Sequence, residues 1–269
     1  VRVQRSPCQS GHARAQDDRA LKIERNREYD PFAPIYNRYW GDEYRANVLP
    51  VLERVLLSRI RPDASVLDVC CGTGQLAETL RRGGYDMAGL DASEAMIGFA
   101  RENAPSIPFV VEDVRDFSID RRFDAAYSVF ESLNHVPNID GLRLAFACVR
   151  RHLAPGAPFL FDLNREEAFI QFWNDTDAIV FDDNVCVMVS SYNEVTHVGT
   201  CEVTVFDPDG DARDWRRTDF RVRQTCHEIG DVSGALADAG FRDITLHDAR
   251  DLGMMGEVAL ARTFFLALA

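Results

Sequence analysis

Short apolar runs separated by amphipathic stretches set the pattern of this 269-residue chain. Runs at residues 66–69, 85–91, 107–111, 123–130 and 158–163 are too short for buried helices, so they predict buried strands. Between them, residues 75–81, 93–100 and 141–152 carry apolar side chains at helical spacing, and Ser93 stands where an N-cap serine belongs. Strands alternating with helices through short connections predict a doubly wound, mostly parallel α/β sheet. A final helix at 228–239 and strands at 241–247 and 262–268 bring the sheet to seven strands.

Two segments exceed this frame. Ahead of the first strand, residues 29–40 are dense in aromatics, Asp30-Pro31 reads as a helix start, and Val48, Leu49, Leu52, Val55, Leu56 and Ile60 recur at helical spacing. Residues 29–60 are therefore expected to form an N-terminal lid. After the fifth strand and a helix near 165–173, alternating stretches at 178–181, 185–192, 200–206 and 215–225 are separated by turn-forming Asp, Asn and Gly. They predict an antiparallel β cap inserted at about 176–226, walling an acceptor pocket or mediating a homodimer.

The chemistry concentrates at the first strand-to-helix turn. Val66-Leu67-Asp68 runs into Cys70-Cys71-Gly72-Thr73-Gly74, and two glycines there let the backbone turn tightly beneath a ligand. The second strand ends in Asp91, placed to accept hydrogen bonds from ribose hydroxyls. Gly72 to Ala77 also fits the G-x-G-x-x-A dinucleotide pattern, so a nicotinamide-dependent oxidoreductase is the alternative. A pyrophosphate site has no use for a carboxylate inside the strand, whereas a cationic amino-acid moiety does, and the third strand ends in Glu112-Asp113-Val114, which offers a carboxylate for an adenine edge.

Together these features resemble the class I S-adenosylmethionine-dependent methyltransferases, most closely over residues 66–162. The resemblance implies S-adenosylmethionine as cofactor and S-adenosylhomocysteine as product, with Asp68, Cys70, Gly72, Gly74, Asp91, Ala92, Met96, Asp113, Val114 and Phe130 on the cofactor side. Cys70 departs from the glycine most common in that family. The layout is also similar to the N-methyltransferases of nucleotide-linked amino sugars, which makes an amino sugar one option, while no residue selects nitrogen over oxygen or carbon. Tyr36, Tyr39, Glu131 and Asn134 are the expected acceptor contacts; His135, and second to it His227, are the candidate bases. A binding protein without turnover would carry the same cofactor residues.

A formal charge of -13 without a long basic run disfavours nucleic acid and points to a small-molecule acceptor. Seven scattered cysteines show neither C-x-x-C pairing nor zinc spacing, so they are read as reduced thiols, with no metal. No membrane span or secretory leader is visible, and a cytoplasmic location is expected. Polar residues 1–26 are read as a disordered extension, and residues 27–269 as a single domain.

Overall fold

The computed structural model describes residues 25, 27–209 and 214–269; apart from Arg25, the extension expected at 1–26 lies outside the described residues. Helices α1 (Ala33–Tyr39) and α2 (Gly41–Val55) precede the body of the fold. The body then alternates β1 (Ser65–Val69), α3 (Gln75–Arg82), β2 (Asp86–Asp91), α4 (Glu94–Asn103), β3 (Phe109–Val111), β4 (Ala125–Ser128), α5 (Ile139–Arg151) and β5 (Pro158–Asn164). After α6 (Glu166–Phe172) come the cap strands β6 (Thr176–Phe181), β7 (Asn184–Asn193), β8 (Val198–Asp209) and β9 (Asp214–Thr225). Helix α7 (Ile229–Asp238) and strands β10 (Arg242–Asp248) and β11 (Arg262–Leu268) complete the chain.

The main sheet has the order β10-β11-β5-β4-β1-β2-β3. Its strands are parallel except β11, which runs antiparallel to both neighbours. The chain moves outward from β1 through β2 and β3, then returns to β4 on the other side. That reversal opens a crevice beyond the carboxyl ends of β1 and β4, where doubly wound sheets bind ligands. Successive strand residues face opposite sides, so Val66, Tyr127 and Phe264 pack under α2, α3 and α4, while Leu67, Phe161 and Phe265 pack with α5 and α7.

Some strand ends are trimmed for local reasons. β3 begins at Phe109 because Pro108 has no backbone N–H to give a ladder. β4 stops at Ser128, since Phe130 takes a left-handed φ of 63°. In α4, Ser93 accepts from the Met96 amide at 3.1 Å, and Met96, Ile97 and Ala100 are buried, while Phe99 is only partly covered.

The cap is a separate antiparallel sheet in the order β6-β7-β8-β9. Its inner residues Cys186, Val203 and Val205 share a third apolar cluster with Phe32 and Ile35 of the N-terminal segment. Lid and cap are thus packed on each other.

Candidate active site

β1 delivers Asp68 and then turns through Cys70, Gly72 and Gly74, with φ of 62°, 52° and 79°. Glycine adopts such angles freely, whereas a cysteine there stores strain of order 1–3 kcal/mol. At Gly74 an added Cβ would lie 3.0 Å from the Ala100 Cβ and 3.1 Å from its Cα, so glycine is what lets α3 start against α4. Gly72 N–H donates to Asp91 Oδ2 at 3.0 Å, and Ser93 N–H donates to Asp91 Oδ1 at 2.9 Å. These bonds aim the Asp91 carboxylate along the crevice, and burial pushes its pKa up to about 6. Asp68 is buried, accepts from the Tyr127 hydroxyl at 2.7 Å, and is pushed by burial up to about 7.

A cavity of about 330 Å³ runs from Asp91, Ala92 and Met96, past Cys70, Gly72 and Phe130, to the underside of the cap. Its far wall includes Met188, Cys201, Val203, Val222 and Gln224 of the cap strands, with Tyr29 and Tyr36 of the lid and Trp173 after α6. A hollow of about 40 Å³, lined by Asp68, Thr73 and Gln75, adjoins it through Tyr36, Cys70, Gly72 and Phe130. The donor set fits an adenosyl sulfonium: a carboxylate for the ribose, a buried carboxylate beside the turn for an ammonium, and apolar Met96 for a ring. Trp173 rests on a glycine of β8, where a Cβ on Gly199 would come within 2.5 Å of the indole.

Three carboxylates, Asp91, Glu131 and Asp177, line the main cavity, and among the described residues no Lys or Arg does. Glu131 follows Phe130 and is also left-handed, with φ 46°. Its carboxylate pairs with the buried Arg262 guanidinium, which also holds Asp162 beneath it. Burial pushes the Asp162 carboxyl up against the pull of Arg262. Glu131 and Asp162 thus share one buried guanidinium at this end of the cavity.

His135 closes the short helical turn Ser132–His135 and lines the same cavity. Nδ1 lies 2.7 Å from the Arg223 carbonyl oxygen, while Nε2 lies 3.1 Å from the Tyr29 hydroxyl and 3.2 Å from Gln224 Nε2. Burial lowers the imidazole pKa to about 4, so the ring is neutral at physiological pH. The lid is tied on both sides. Asp30 accepts from Ser93 Oγ at 2.7 Å, while Tyr39 Oη accepts from Asn184 Nδ2 of the cap, also at 2.7 Å. The Asp30 carboxylate thus serves α4 and does not start α1, whose N-cap is Phe32.

The crevice brings together Cys70, Gly72, Asp91, Ala92, Met96, Phe130, Tyr36, Glu131 and His135, with Asp68 in the adjoining hollow and Gly74 behind the turn. Besides Gly74, five expected residues line neither the cavity nor the hollow. Asp113 is clasped by Arg115 through Nε at 2.8 Å and Nη2 at 2.8 Å, and Val114 is buried in the core. Tyr39 stacks on Phe181, with centroids 4.5 Å apart. Asn134 is fully buried, bonded to the Asn164 amide and the Thr225 carbonyl, and pins the cap to β5. His227 is buried with Nε2 3.0 Å from the Val136 carbonyl oxygen, so it is a structural histidine. Tyr29, Trp173 and Gln224 line the site without having been expected there; the density of aromatics at 29–40 was the signal for Tyr29, and Gln224 had none. Among the described residues no His, Cys, Asp and Glu group could hold a metal ion, and no helix is long and apolar enough to cross a membrane.

Comparison with known proteins gives a consistent picture. A methyltransferase-domain family profile matches residues 66–156. The chain is 30% identical over 220 residues to the dTDP-3-amino-3,4,6-trideoxy-alpha-D-glucopyranose N,N-dimethyltransferase of Streptomyces venezuelae, covering 78% of this chain and 90% of that protein. It is 31% identical over 222 residues to the dTDP-4-amino-2,3,4,6-tetradeoxy-D-glucose N,N-dimethyltransferase of Saccharopolyspora spinosa, covering 80% and 84%. Among solved structures it superposes on Streptomyces venezuelae DesVI with a TM-score of 0.72 and 26% identity, over 88% of this chain and 97% of that one. The nicotinamide alternative finds no support in these relatives.

Proposed function

The chain belongs to the class I S-adenosylmethionine-dependent methyltransferases, and within that family we propose that it methylates an amino nitrogen of a small, hydroxylated acceptor of the amino-sugar kind. The observation carrying this reading is the charge of the cavity. Asp91, Glu131 and Asp177 line it, with no Lys or Arg among the described residues, and such a wall attracts an ammonium. The relatives named above, which act on amino sugars, support the same reading.

S-adenosylmethionine, when bound, supplies a methyl group already activated on sulfur. This chain's residues then hold, align and dehydrate. Asp91 takes the ribose hydroxyls, Asp68 the ammonium of the methionine moiety, and Met96 packs on the adenine. Asp113, clasped by Arg115, is left supporting the loop after β3. Glu131 orients the acceptor nitrogen and is the carboxylate that can take its proton before transfer. His135, with its Nε2 lone pair engaged by Tyr29 and Gln224 and its Nδ1 by the Arg223 carbonyl, orients the pocket. Lid and cap exclude water.

Incubation with isotopically labelled methyl donor and paired acceptors tests the reading. An aminodeoxyhexose should gain label on nitrogen, read by mass spectrometry, and its analogue with hydroxyl in place of the amine should gain none. Label on oxygen in both would reject it.

A further inference from the structure

Gln224 lies on β9, is 5% exposed and lines the cavity, yet its carboxamide oxygen has no hydrogen-bond partner. A buried acceptor left unmade is unfavourable and calls for a reason. The orientation of that amide follows from its neighbours. The Arg223 carbonyl can only accept, so His135 Nδ1, 2.7 Å away, carries the proton. In the neutral ring Nε2 then offers a lone pair, and the group facing it at 3.2 Å must be the NH2 of Gln224. A flipped amide would set its oxygen against that lone pair. The carboxamide oxygen is therefore the free end, held by a backbone carbonyl two bonds of the network away.

What donor would it take? Glu131, on the same short turn as the His135 that Gln224 touches, offers a cationic nitrogen a carboxylate. A neutral oxygen in the same cavity suits a neutral donor, which in a hydroxylated amine is the hydroxyl adjoining the nitrogen. We infer that Gln224 is the acceptor-recognising residue of the cap, its carboxamide oxygen accepting from the hydroxyl next to the methylated nitrogen, so that the site selects vicinal amino alcohols. The inference rests on the amine reading above and narrows it.

A cycle of protein and ligand changes tests it. The probes are the methyl glycoside of an aminodeoxyhexose and its analogue lacking the hydroxyl beside the amine, each assayed with wild type and Gln224→Leu. In wild type, loss of the hydroxyl should raise KM about tenfold or more, with kcat changed less, as expected for one buried hydrogen bond. In Gln224→Leu both probes should show the same raised KM, while S-adenosylhomocysteine binds as in wild type by calorimetry. Gln224→Glu keeps an oxygen and should still separate the probes; Gln224→Met replaces Gln224→Leu if the latter does not fold. Equal discrimination by wild type and Gln224→Leu overturns the assignment alone. If wild type methylates neither glycoside, the amine reading falls and takes this inference with it.

Discussion

At the residue scale, the most consequential group is Asp68, an acid kept in an apolar strand where burial lifts it to about 7. An ammonium pairs with the carboxylate and not with the acid, so bound ligand holds Asp68 ionised. Affinity for S-adenosylhomocysteine should therefore fall as pH drops from about 8 to about 5.5, by up to about tenfold per unit below the raised pKa. In the ligand-free protein the sign reverses. The raised pKa gives a contribution to stability that is present at low pH and lost as pH rises through about 7. Calorimetry across that range should show the affinity trend in wild type and a weaker, shallower one in Asp68→Asn, the remainder falling near pH 6 where Asp91 titrates; a trend as steep as in wild type between about pH 8 and 6.5 would remove the ammonium from this position. Legibility varied at this scale. Asp91 and the glycines stand at readable spacings along the chain, whereas the pairing of Asp113 with Arg115, two residues on, was not anticipated although that partner is visible in the sequence.

At the element scale, the seven strands and the four-stranded cap follow from apolar runs and turn residues, because burial and pleat leave a period in the sequence. What ties the lid to the rest leaves no period. Asp30 reaches Ser93 across 63 positions and Glu28 reaches Arg223 across 195, so neither contact could be read from local pattern. These contacts make a functional prediction. Asp30→Ala removes the bonds to Ser93 and Ala95, each worth about 1 kcal/mol, and should speed S-adenosylhomocysteine release about tenfold in stopped-flow measurements. The thermal transition should move little, because α1 and α2 keep their buried apolar faces. An unchanged release rate would mean that the lid does not gate the cofactor.

At the scale of the whole molecule, a charge of -13 surrounds a cavity that is itself lined by carboxylates. A cationic acceptor is drawn in by both fields, and salt screens them. The KM for an amino glycoside should rise several-fold between about 0.02 and 0.3 M salt, whereas a thymidine-diphosphate-linked form of the same sugar should bind less tightly and improve with salt. Steady-state assays at matched pH check both trends; tighter binding of the diphosphate form at low salt would place a cation at the mouth. Trp173 bears on the size of that acceptor, since it is seated on Gly199, a residue of β8 that does not itself line the main cavity. The room available to a substrate is thus held in trust by a strand position one layer behind the wall. A lineage could change what it methylates through that position alone, with every ligand-facing side chain kept as it is.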